Sequence, residues 1–146
     1  LNDSITFTVI GLPAPQGSKR HIGRGVMVES STKVKPWRVD VKNFALKSKP
    51  DNWDMESPMS LSVVFRFRRP KSHYTTKGLS SNAPLQCTSA KHGDLDKLLR
   101  STNDALTDVL FNDDRQVVSI IASKRYCEPD EPQGAIITLT ALSTTQ

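Results

Sequence analysis

Two pairs of aspartates, Asp94 with Asp96 and Asp113 with Asp114, are the residues of this chain best suited to chemistry. Carboxylates this close in sequence repel one another unless a cation or a base comes between them. A hard divalent ion such as Mg²⁺ takes oxygen ligands and keeps several waters, so two or three carboxylates from different elements would satisfy it. Each aspartate alone has a plainer explanation. An acid at a helix N-terminus is stabilised by free N–H groups and by the helix dipole, and aspartate is a common turn former. Arg100 follows Asp96 by one helical turn, and Asp104 follows a turn later. That spacing suits a surface Asp–Arg–Asp ladder, or a cation aimed at a phosphate.

Charge is unevenly spread. From Asp94 to Asp114 there are six acids and two bases, whereas the other 125 residues carry 18 bases against 9 acids, within a net charge of +5. An acidic island in a basic chain fits two unlike tasks, a surface for an anion and a carboxylate cluster for a cation. The candidates for holding a nucleic-acid backbone are Lys19, Arg20, Arg68, Lys71, His73, Lys91 and Lys97. Such contacts are sequence-independent and weaken with salt. Trp37, Trp53 and Tyr74 are assigned to core or edge packing rather than to base stacking. Cys87 and Cys127 have neither zinc spacing nor the number for a disulfide framework, which sets aside zinc-site and thiol-nucleophile readings. No apolar run approaches the ~18–20 residues of a membrane span, and Leu1 to Gly11 lacks a secretory layout. The expected location is cytoplasmic.

These residues must be positioned by a small set of elements. Alternating apolar residues predict strands over Ser4–Gly11 and Pro58–Arg68. A loop rich in Pro, Gly and bases follows the first, with a short hairpin proposed over His21–Val28. Trp37, Val41, Phe44 and Ala45 predict a helix from Pro36 to Leu46. A polar stretch, Arg69–Gly93, reads as a phosphate-touching segment or a disordered insertion. Leu95, Leu98, Leu99, Leu106, Val109 and Leu110 predict an amphipathic helix over Leu95–Leu110. Strands are predicted over Arg115–Tyr126 and Ala135–Leu142. A helix of ~15 residues rises ~22 Å, so the two aspartate pairs meet only if the second begins a strand that runs back beside the helix. The order predicts one α+β domain over residues 1–146, a mixed β-sheet of about four to five strands packed with two α-helices.

The run Gly93-Asp94-Leu95-Asp96-Lys97-Leu98-Leu99-Arg100, then Asp104-Ala105-Leu106-Thr107, then Asp113-Asp114-Arg115-Gln116-Val117-Val118 resembles the RusA family of crossover-junction endodeoxyribonucleases. Pro70-Lys-Ser-His-Tyr74 and Leu12-Pro-Ala-Pro-Gln-Gly-Ser-Lys-Arg20 resemble its phage-type members. The resemblance implies that Asp94, Asp96 and Asp114 are catalytic metal-binding acids for Mg²⁺, with Mn²⁺ as a substitute, and that no small-molecule cofactor is needed. It implies phosphodiester hydrolysis on branched DNA such as a four-way junction, by a homodimer that presents two active sites. Arg100 stands where some members carry Lys, and Lys97 where Asn is frequent. Arg keeps the charge but not the compact ammonium. The alternative is a non-catalytic nucleic-acid-binding module whose acids are helix caps and turns.

Overall fold

A computed structural model describes residues 3–17, 19–21, 27–29 and 32–145. Its centre is a mixed four-stranded sheet in the order β1-β8-β4-β7. These strands are β1 (Asp3–Ile10), β4 (Met59–Phe67), β7 (Val117–Tyr126) and β8 (Gly134–Ala141). β8 is antiparallel to both β1 and β4, whereas β4 and β7 run parallel. Alternation decides the faces: Phe7, Val9, Leu61, Val63, Phe65, Ile137 and Leu139 are buried on one side. The opposite face carries hydroxyls, which pair across β1 and β8 at Ser4–Thr140 and Thr6–Thr138. The expected mixed sheet with two helices is the observed architecture.

Helix α1 (Val34–Ser48) buries Val34, Trp37, Val41 and Ala45, three and four residues apart, and starts two residues before the predicted Pro36. Helix α2 (Leu95–Leu106) buries Leu98, Ser101, Thr102, Ala105 and Leu106. The helices pack together, and the buried Trp37 indole donates to Thr102 Oγ1 at 3.1 Å. The second predicted helix was too long by four residues. Thr107 turns extended, Asp108 adopts φ +67°, and Thr107 bridges to Phe111. Val109, Leu110 and Phe111 are nonetheless buried, so a core-facing turn continued the apolar pattern and mimicked further helix. Trp53 secures that turn by donating its indole N–H to the Leu110 carbonyl at 2.8 Å.

Of the hairpin predicted over His21–Val28, residues 22–26 lie outside the described residues; the flanking strands β2 (Lys19–His21) and β3 (Met27–Glu29) pair antiparallel. The polar stretch 69–93 is folded. It contains a short hairpin, β5 (Tyr74–Thr75) with β6 (Gly78–Leu79), and two single-turn 3₁₀ segments. Arg69 ties it down, donating to the Pro84 carbonyl at 2.7 Å and stacking on Tyr126. Trp37 and Trp53 are core residues, while Tyr74 is exposed on the hairpin. Among the described residues, no helix is long and apolar enough to cross a membrane.

Candidate active site

The start of α2 is pinned from two directions. Gly93, just before the helix, has φ +84°, and a Cβ there would meet the Pro15 ring at 2.6 Å. Only glycine suits both the left-handed backbone and the contact. The segment carrying Pro15 is stitched along α2: Ser101 Oγ donates to the Ala14 carbonyl at 2.6 Å, and the Gln16 amide to the Lys97 carbonyl at 3.0 Å. From the sheet side, Lys124 on β7 donates its Nζ to the Gly93 carbonyl at 2.8 Å. The Ala14–Gln16 and Gly93–Ser101 segments, distant in sequence, are thus held together.

Asp94 occupies the N-cap position, yet its side chain makes no capping hydrogen bond. Its carboxylate is largely exposed, with Lys97 Nζ 3.9 Å away. The helix-cap explanation therefore does not account for this side chain. The second pair divides cleanly. Asp113 caps the 3₁₀ turn Asp114–Gln116, accepting from the Arg115 amide at 2.9 Å, while Gln116 Oε1 accepts from the Asn112 and Asp113 amides. Gln116 Nε2 donates to the Met55 and Ser57 carbonyls, anchoring the turn to the strand-β4 approach. With Asp113 held as the cap, Asp114 is exposed, and its carboxylate makes no hydrogen bond or ion pair among the described residues.

Asp96, Arg100, Asp104 and Asp114 line one open hollow of about 210 Å³, together with Leu99 and Asn103. The early end of α2 allows this. The chain turns after Leu106, passes Phe111 through the core, and brings Asp114 back beside the helix as β7 begins. Asp94 is not in the walls of this hollow, and among the described residues no three His, Cys, Asp or Glu side chains are gathered as a metal cluster. Arg100 makes no ion pair among the described residues, so of the two readings its spacing allowed, the Asp–Arg–Asp ladder is not formed. Asp104 pairs instead with Arg38 of α1, Nη2 to Oδ2 at 3.0 Å, and Arg38 also donates to Gln16 Oε1. Asp104 and Asp114 face a second hollow too, about 410 Å³, shared with Arg38, Asp108 and Asp113. Sequence reasoning left Arg38 out of the site. No spacing rule links α1 to α2, and the helix–helix packing is what joins them.

The basic candidates separate by place. Arg68, Lys71 and Lys91 line a cavity of about 360 Å³ beside the start of α2, joined there by Lys33, Arg69 and His92. His73 lies beside Arg69 and sets its ring edge-on to Tyr126. Lys97 stands beside Asp94 rather than in this cavity. The side chains of Lys19 and Arg20 lie outside the described residues. Burial, helped by Lys91 and Lys124, pulls the His92 pKa down, which favours the neutral imidazole. Burial also pushes the Cys87 thiol up, away from thiolate character.

The chain matches the family model described as "Endodeoxyribonuclease RusA" over residues 11–139. It is also 31% identical over 140 residues to the uncharacterized protein YqaN of Bacillus subtilis (strain 168), covering 92% of this chain and 95% of that protein. The matched span contains the Pro15–Gly93 contact, the acid-lined hollow and the Gln116 anchor, and on these matches the chain belongs to the RusA family of endodeoxyribonucleases.

Proposed function

We propose that this protein is a metal-dependent endonuclease that hydrolyses phosphodiester bonds in branched DNA, four-way junctions foremost, and acts as a homodimer in recombination, repair or phage DNA processing. The observation that carries the reading is the convergence of Asp96, Asp114 and Arg100 on one solvent-open hollow from two elements. Asp96 and Asp114 offer exposed carboxylate oxygens with no hydrogen-bond or ion-pair partner among the described residues, a donor set that fits Mg²⁺ with its retained waters. Asp94, whose carboxylate no helix cap consumes, would be the third acid of the set, although it lies outside the walls of that hollow. When bound, the ion supplies Lewis-acid charge and an activated water.

The remaining work falls to the chain. Asp96 and Asp114 would hold the cation, which would supply positive charge beside the reacting phosphate. Arg100 cannot act as a general acid or base near neutral pH, because its guanidinium stays protonated. Its task is electrostatic, offsetting charge that develops on phosphate oxygens. Lys71, Lys91 and Arg68 hold the neighbouring backbone, and Arg38 keeps Asp104 from pairing with Arg100. Paired cuts in a two-fold junction call for two such sites, which a closed two-fold dimer provides.

The test is nicking of a synthetic four-way junction with and without Mg²⁺, alongside light scattering of the free and DNA-bound protein. Metal-dependent paired nicks by a dimer are expected. Junction binding with no nicking under any divalent ion would instead support a binding module, and a monomer in both states would remove the dimer.

A further inference from the structure

The basic cavity beside α2 has a composition unlike a simple phosphate clamp. Leu12 to Pro15, together with Pro70, give the cavity an apolar part of its lining. Lys33, Arg68, Lys71 and Lys91 supply exposed positive charge, and among the described residues no carboxylate lines the cavity. His92 also lines it. This imidazole is 5% exposed, its ring lies 4.3 Å from that of Phe67 in a stacked arrangement, and its Nε2 is buried without a hydrogen-bond partner. Buried polar atoms are nearly always satisfied, so the His92 imidazole, which lines the cavity, calls for a hydrogen-bond partner.

The class of ligand follows from these features together. A bare phosphate would use the cations and leave the proline wall and His92 without a role. An aliphatic ligand would leave the cations without one. A flat heteroaromatic ring carrying a phosphate uses all of them, and about 360 Å³ falls within the usual range of small-ligand sites, ~300–1,000 Å³. We propose that this cavity receives one unpaired nucleotide of the branched DNA, its base against the Leu12–Pro15 wall and His92, its phosphate among the surrounding lysines and Arg68. The proposal rests on the nuclease reading above and adds a means of substrate selection. A base paired in a duplex is unavailable to such a cavity, whereas pairing is weakest at a branch point. The cavity is linked directly to the acids, because His92 and Pro15 of its wall flank Gly93, and Asp94 follows.

Two measurements test this. In the first, thymidine 5′-monophosphate, inorganic phosphate and thymidine are titrated separately into the protein without DNA, with the resonances of His92, Leu12 and Ala14 followed by NMR. Saturable shifts are expected with the nucleotide, at least about fivefold tighter than with phosphate, the gain one stacked base provides. Equal affinity for phosphate, or no shifts at these residues, overturns the proposal. In the second, 2-aminopurine replaces a branch-point base in a four-way junction, and Ca²⁺ replaces Mg²⁺ to suppress cutting. Binding should raise its fluorescence as the base unstacks. Leu12→Trp, at a part-exposed position where it fills the cavity without entering the core, should suppress that rise and reduce junction-over-duplex preference by about fivefold or more. His92→Leu, compared with wild type by thermal melting to verify folding, should do the same. Variants that retain both the fluorescence rise and the preference overturn the proposal. Wild-type nicking with Mg²⁺ tests the nuclease reading separately, so the two can fail independently.

Discussion

The Pro15 ring lies so close to Gly93 that no side chain fits between them, and this contact joins the N-terminal loop to the helix that presents Asp94 and Asp96. Gly93→Ala should therefore be costly twice over, through its positive φ and through the collision with Pro15. A loss on the order of 1–3 kcal/mol is expected for such backbone strain. Because the displaced residue adjoins Asp94, cleavage should fall by more than the lost stability accounts for. Chemical denaturation and single-turnover cleavage on the same preparation check both parts.

The two members of the Asp113–Asp114 pair should respond differently. Asp114→Asn, like Asp94→Asn and Asp96→Asn, should abolish cleavage while leaving junction binding intact or tighter, since removing negative charge near phosphates reduces repulsion. Asp113→Ala should instead cost about 1 kcal/mol, the usual worth of a helix cap, and retain most of the rate. Wild-type rates in the three Asn variants would dismiss the acids as catalytic.

Arg100→Ala should lower the single-turnover rate by about 10²-fold or more, as expected for loss of one electrostatic stabiliser. Junction affinity should change far less. Arg100→Lys should recover part of the rate, since the charge returns without the planar fork. An unchanged melting temperature is expected for both variants, because Arg100 is exposed and has no ion pair among the described residues. A rate for the Ala variant near that of wild type would make this arginine dispensable.

Glu131 links acid pH to stability. It accepts from Arg125 at 2.6 and 2.8 Å and from the buried Arg66 at 2.9 Å. Arg125 above all, the Glu128 amide and Arg66 hold its carboxyl far below the ordinary value of 4.5. A depressed folded-state pKa contributes stability above the unfolded value, and that stability is lost as pH falls toward the folded one. Glu131→Gln should thus melt lower than wild type at neutral pH, with the gap narrowing progressively below pH 4.5. Leaving Arg66 buried without its counter-charge should cost on the order of 3 kcal/mol at neutral pH. Melting curves of both proteins across this range measure the convergence.

Much of this fold was legible because stretches of β1, β4 and β8 alternate: Leu61, Val63 and Phe65 announce both β4 and its buried face. The length of α2 was not, since Val109 and Leu110 continue a helical stripe while occupying a turn. That error bears on the site. Extending the helix to Leu110 carried Asp114 away from Asp96, whereas the real chain turns at Asp108 and brings it back. Local periodicity does not report where a helix gives way to a buried turn when both need apolar residues. Likewise nothing in the local pattern told Asp113 from Asp114. The distinction depends on Gln116 reaching Met55 and Ser57, a contact made across 61 and 59 residues of chain. Arg38 was missed for the same reason, as its partner Asp104 lies on another helix.

The strand order also has a bearing on how the protein is made. β1 pairs with β8 and with no other strand of the sheet, while both neighbours of β4 come later in the chain. On the ribosome, β1 and β4 must wait unpaired until β7 and β8 emerge, and elongation at ≈ 5–20 residues per second makes that wait last seconds. Non-local pairings of this kind fold slowly because loop closure must precede the contacts that reward it. The nascent chain consequently exposes alternating apolar strands before any acid-lined hollow exists. The sheet on which α2 and the Asp114 turn rest is therefore complete only once β8 has emerged.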